Sequence, residues 1–78
     1  MNTIKVLFFG SLEDVVGCKE KALANINTSD ELINHLKTEY SNLTEKTFQV
    51  AVNQQIIKSN TNLNNGDTIA LLAPFAGG

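Results

Sequence analysis

Thr28-Ser29-Asp30-Glu31-Leu32-Ile33-Asn34-His35-Leu36-Lys37-Thr38-Glu39-Tyr40 is the one long stretch of this chain with helical periodicity. It opens on the T-x-x-E pattern of a capping box, in which the hydroxyl accepts from an N–H of the first turn and the carboxylate reaches back. Leu32, Ile33, Leu36 and Tyr40 then fall at helical spacing and make one apolar stripe. The pattern predicts a helix from about Ser29 to about Tyr40. A helix with one greasy face needs a surface to lie on, and the segments on either side read as strands.

Upstream, Ile4-Lys5-Val6-Leu7-Phe8-Phe9 is β-branched and aromatic and stops at Gly10. Both of its faces carry apolar residues, so it reads as a buried strand. Ser11-Leu12-Glu13-Asp14-Val15-Val16-Gly17 reads as a short helix capped by Ser11 and ended by Gly17. A strand is expected within Lys19 to Ile26. Downstream, Phe48, Val50 and Val52 alternate with Gln49, Ala51 and Asn53, the period-2 mark of a half-buried strand. Ile56-Ile57-Lys58 reads as its short partner. Asn64-Asn65-Gly66-Asp67 is a turn built from residues that tolerate positive φ. Thr68 to Ala73 is the last strand, placed at the sheet centre. The order gives an α+β fold, a small mixed sheet with one main helix on one face.

The 78 residues allow one domain, here 1–78 with a tail from 74 to 78. A core of that size supplies roughly 3–5 kcal/mol of net stability. Apolar residues are 42% of the chain, enough for a globular fold. No apolar run approaches the roughly 20 residues of a membrane span, and the N-terminus lacks the pattern of a secretory signal. The chain therefore reads as cytoplasmic, with no membrane partner. Cys18 is the single cysteine and fits a reducing compartment. The net charge is −2, every basic residue is Lys, and no basic stripe interleaves with aromatics. Nucleic-acid binding is not expected.

The usual catalytic constellations are missing. His35 stands alone beside the helix stripe and reads as a solvated surface residue, since one His makes neither a metal site nor a triad. Cys18 has no base or second cysteine near it in sequence and reads as an incidental thiol. Asp67 reads as a turn residue, and Asn53 as one that closes a turn with its own side chain. No metal or bound cofactor is expected. What remains is the end of the sequence, where an apolar run from Ile69 passes through Pro74-Phe75-Ala76 to Gly77-Gly78. The two glycines add least bulk and most backbone freedom. Pro74 weakens strand pairing. Phe75 left in water forfeits roughly 1.5–3 kcal/mol of burial, which a partner's pocket would recover. Ala73–Gly78 spans at most roughly 20 Å when extended, enough to carry the Gly78 carboxylate into another protein's active site. These features point to a carrier.

Lys5-Val6-Leu7-Phe8-Phe9, Ala51-Val52-Asn53-Gln54, and Leu63-x-x-Gly66-Asp67-x-Ile69-Ala70 leading to Pro74-Phe75-Ala76-Gly77-Gly78 together resemble the small subunit of molybdopterin synthase, the MoaD type. The resemblance runs nearly end to end. It implies the ubiquitin-like β-grasp fold, with the first and last strands side by side and parallel. It also implies that Gly78 is the reactive position. Its carboxylate would be adenylated with ATP on a separate activating enzyme and converted to a thiocarboxylate. A large synthase subunit would then take in the tail, in a heterotetramer of two small and two large subunits. Sulfur would pass to a cyclic pyranopterin precursor, forming the dithiolene of the molybdenum cofactor. The chain would not be an enzyme on its own. Leu72, Pro74, Phe75, Ala76 and Gly77 would contact the partner. An anionic carboxylate is a poor electrophile, and adenylation gives it a leaving group. Glu13 stands where many members of this family carry Arg, and no role is carried onto it. Cys18 is likewise outside the pattern.

Two other functions fit a Gly-Gly tail. One is a sulfur carrier of the thiazole-synthesis type, usually a shorter chain without the opening Lys-Val-Leu-Phe-Phe. The other is a ubiquitin-like modifier, which would end as an isopeptide on lysines. An inert interaction domain is a further class, in which removal of Gly78 would change nothing.

Overall fold

The computed structural model describes residues 2–72. Along the chain run β1 (Thr3–Phe8), α1 (Ser11–Val16), β2 (Glu20–Ala24), α2 (Ser29–Glu39), a 3₁₀ turn (Ser41–Glu45), β3 (Gln49–Val52), β4 (Gln55–Ile57) and β5 (Thr68–Leu72). The five strands form one sheet in the order β2-β1-β5-β3-β4. β1 and β5 are parallel, with Val6 beside Ile69 and Phe8 beside Leu71. The other neighbours are antiparallel. β5 is thus the central strand, as its apolar run predicted, and the parallel pair is the one the resemblance implied.

α2 forms where the capping pattern placed it. The Thr28 side chain accepts from the Glu31 N–H at 3.2 Å. The Glu31 carboxylate reaches back past Thr28 and accepts from the Asn27 N–H at 2.9 Å. Leu32 and Leu36 are fully buried and pack into one core with Ile4, Val6, Phe8, Ile69 and Leu71 from the sheet. Leu12 of α1 and Leu43 of the 3₁₀ turn complete that core. Ile33 and Tyr40 pack against it but stay half-buried. The sequence contained no signal for the 3₁₀ turn, whose polar SNLTE run holds a single buried residue.

Several expectations are corrected. Ser11 does not cap α1; the N-cap is Gly10, at φ 63 and ψ −139, and no side chain caps the helix. That backbone conformation is open only to glycine, so the turn out of β1 needs Gly10. Gly17 does end α1, in the left-handed region at φ 88, with its N–H on Glu13 O. β1 is not buried on both faces. Ile4, Val6 and Phe8 are buried, but Lys5 and Phe9 are exposed and Leu7 is half-buried. Among the described residues the helices lie on the Ile4/Val6/Phe8 side, and none of them covers the other face of the sheet. Alternation in β3 also fails, because Ala51 is buried along with Val50. In the Asn64–Asp67 turn only Gly66 has positive φ.

Candidate functional site

The uncovered sheet face carries the apolar residues that the helix does not use. Strand register sets them in a row. Leu7 lies beside Ala70, Ala70 beside Ala51, and Ala51 beside Ile56. Phe9 and Leu72 continue the same face at the end of the sheet where β5 runs out. These six residues line one open hollow, and Asn53, Gln54 and Thr68 line its far end. Phe9 is 47% exposed and Ile56 is 50% exposed, the two large apolar side chains most open to water among the described residues. An exposed apolar patch of this kind marks an interaction surface.

The hollow ends at the root of the tail. The Phe9 N–H donates to Leu71 O at 3.2 Å, and Leu72 pairs with Gln49 of β3. The chain therefore leaves the described residues from the patch itself, clamped between β1 and β3. Of the residues expected to contact a partner, Leu72 is half-buried on this face. Pro74, Phe75, Ala76, Gly77 and Gly78 lie outside the described residues. Phe9 and Ile56 were not singled out from the sequence. The signal was present in β1, where Lys5 marks one face as solvated and a step of two leads to Leu7 and Phe9.

The far end of the hollow is held by side-chain hydrogen bonds. Asn53 Oδ1 accepts from the Thr68 N–H at 3.0 Å, and Asn53 Nδ2 donates to Asp67 Oδ1 at 3.0 Å. Asn53 thus ties the β3–β4 hairpin to β5 instead of closing its own turn. Asp67 Oδ2 accepts from the Asn64 N–H at 2.8 Å. The Asn64 N–H and then the Asn53 amide hold the Asp67 carboxyl below its ordinary value of 3.8. This is a turn role, as expected for Asp67.

The remaining polar chemistry lies on the helix side. Lys21 reaches from β2 to Glu39 and to the Tyr40 hydroxyl, the latter at 2.7 Å. Those hydrogen bonds, Glu39 first, raise the lysine's pKa and lower that of Glu39. His35 Nε2 sits 3.2 Å from Glu39 Oε1, one helical turn away. His35 is exposed, as expected. Glu13 is half-buried on α1 and makes no ion pair among the described residues. Cys18 is a half-buried free thiol just after α1. No group of three or more His, Cys, Asp or Glu that could hold a metal occurs among the described residues. None of their helices is long and apolar enough to cross a membrane. The geometry of the described residues offers a surface for docking.

A five-stranded mixed sheet with a central parallel pair, crossed on one face by a single long helix, defines a ubiquitin-like β-grasp domain. The chain belongs to the ThiS family, whose model matches residues 6–78. Its fold is that of ThiS/MoaD-type sulfur carriers. It is similar to molybdopterin converting factor subunit 1 of Pyrococcus furiosus, with a TM-score of 0.86 at 20% identity over 95% of this chain and 99% of that one. The small archaeal modifier protein 1 of Methanosarcina acetivorans matches with a TM-score of 0.82 at 21% identity, over 100% of this chain and 98% of that one. One chain of a protein–protein complex of subunits 1 and 2 of molybdopterin-converting factor from Helicobacter pylori matches with a TM-score of 0.75. It is 30% identical over 97% of this chain and 99% of that chain.

Proposed function

We propose that this chain is the sulfur-donating small subunit of a molybdopterin-forming synthase, one domain over 1–78 whose Gly78 is the reactive position. The observation that carries this reading is the similarity, at 30% identity and nearly full length, to a chain of the Helicobacter pylori complex of subunits 1 and 2. Family membership extending through residue 78 supports the assignment of the tail. In this reading a carboxylate oxygen of Gly78 attacks the α-phosphorus of ATP on an activating enzyme, and pyrophosphate leaves. A sulfur donor then displaces AMP and leaves a thiocarboxylate. The larger subunit receives the tail, with Leu72, Pro74, Phe75, Ala76 and Gly77 along its path, and sulfur passes to a cyclic pyranopterin.

The open sheet face fits this division of labour. Phe9 and Leu72 offer apolar area at the root of the tail, where a partner that swallows the tail must also sit, and Ile56 extends that area across the sheet. Burying large side chains there supplies affinity without involving the reacting carbonyl. The test is reconstitution with the larger subunit, the activating enzyme, ATP, a sulfur source and the pyranopterin precursor. Dithiolene product that requires Gly78 is expected. Full product from a chain lacking Gly78 overturns the reading. Isopeptide-linked adducts on lysines would instead make the chain a modifier, and transfer only to a thiazole-forming partner would place it with the other carriers.

A further inference from the structure

Gln54 has a left-handed backbone conformation, and no hydrogen bond of its side chain among the described residues offsets it. β3 and β4 are joined by a two-residue turn, Asn53-Gln54, between the paired residues Val52 and Gln55. Both turn residues have positive φ, 49 for Asn53 and 73 for Gln54. Such a turn matches the twist of a hairpin, and its second position is usually glycine. Asn53 suits its place, because asparagine tolerates this region. Its N–H donates to Thr68 O at 2.7 Å, its Oδ1 accepts from the Thr68 N–H, and its Nδ2 donates to the Asp67 carboxylate just before β5. Gln54 has neither advantage. Its side chain is exposed and makes no hydrogen bond among the described residues. It does line the far end of the apolar hollow on the open sheet face, next to Ile56.

A long polar side chain held in a strained conformation at the rim of a docking surface points outward to a contact made only in the complex. We propose that Gln54 reads the partner: its carboxamide hydrogen-bonds the larger subunit at the end of the open face remote from the tail. The inference rests on the small-subunit reading given above. Four residue steps along β5 lead from Thr68, which lines the hollow with Gln54, to Leu72 at the root of the tail, a span of roughly 13 Å. A contact that far from the reacting carbonyl contributes to affinity and choice of partner and leaves the transfer step alone.

The test is Gln54→Gly, measured by thermal unfolding and by calorimetric titration with the larger subunit from the same organism. Relief of the left-handed strain is expected to raise the unfolding midpoint by about 2–6 °C. Loss of the interfacial hydrogen bond is expected to weaken binding by about 3–10-fold. The transfer rate in the saturated complex is expected to stay unchanged. A purely structural residue would not give a more stable domain with a weaker complex. Gln54→Asn, which keeps an amide and suits positive φ, is expected to fall between the two. Wild-type binding with an unaltered constant for Gln54→Gly overturns this proposal alone. A lower midpoint for Gln54→Gly removes the strain argument on which it stands. A wild-type chain that does not bind the larger subunit overturns both this proposal and the functional reading.

Discussion

Replacing Ile56 with lysine separates the fold from its docking surface. Ile56 sits on β4, at the edge of the sheet, and half of it is already in water. Lysine is a common guard of exposed edges, and its stem can lie along Ala51, beside which Ile56 stands. The isolated domain is therefore expected to lose no more than about 1 kcal/mol. The complex responds differently. Full burial of an isoleucine is worth about 1.5–3 kcal/mol, so covering the exposed half contributes about 0.8–1.5 kcal/mol, all of it lost in the variant. A buried, unpartnered ammonium adds a desolvation penalty of several kcal/mol. Together these exceed about 3 kcal/mol, on the order of a hundredfold or more in affinity. Calorimetric titration with the larger subunit, run beside thermal melts of both variants, reads the two effects separately. A binding constant within about threefold of wild type, a change of less than about 0.7 kcal/mol, would show that the partner does not cover β4. The open face would then need another occupant.

Leu36→Ala removes a fully buried side chain from the centre of α2. Its expected cost of about 2–5 kcal/mol consumes most of the roughly 3–5 kcal/mol available to a domain this small, so urea titration should find the variant largely unfolded at low denaturant. Gly17→Ala meets no atom within 4 Å of the added Cβ but must hold φ +88. The expected loss is conformational alone, about 1 kcal/mol and about 4–8 °C in the melting midpoint. Asp67 sets an acid limit. Its carboxyl is held below the ordinary value of 3.8, so the folded state binds that proton more weakly than the unfolded state. The stabilisation is complete above the unfolded value and is lost as pH falls through the lower folded value. Asp67→Asn should therefore lose less stability than wild type between about pH 5 and pH 2, as followed by denaturant titration at each pH.

The sequence made the helix and the sheet centre legible for physical reasons. The Thr28/Glu31 pattern and the Leu32/Leu36 stripe are local signals, and both act where they were read. The β5 run from Thr68 is apolar on both faces because Ile69 and Leu71 enter the core while Ala70 and Leu72 line the open face. The open face was harder to see. Leu7, Phe9 and Ile56 are as apolar as core residues, and only the register across β1, β5, β3 and β4 shows that they share a side no helix covers. Gly10 took the capping position expected for Ser11 because the turn out of β1 requires a backbone that serine cannot adopt. Asn53 was read as closing its own turn, but its partners, Thr68 and Asp67, are distant in sequence. The role proposed for Gly78 rests on the sequence alone, because that residue lies outside the described residues.

Intact mass of the chain after incubation with ATP, its activating enzyme and a sulfur source tests the central claim most directly. The expected result is one oxygen-to-sulfur exchange that fragment ions place at Gly78, reversed when the larger subunit and pyranopterin are added. A mass that never departs from that of the plain carboxylate, with the activating enzyme demonstrably forming adenylate on another carrier, would contradict the account.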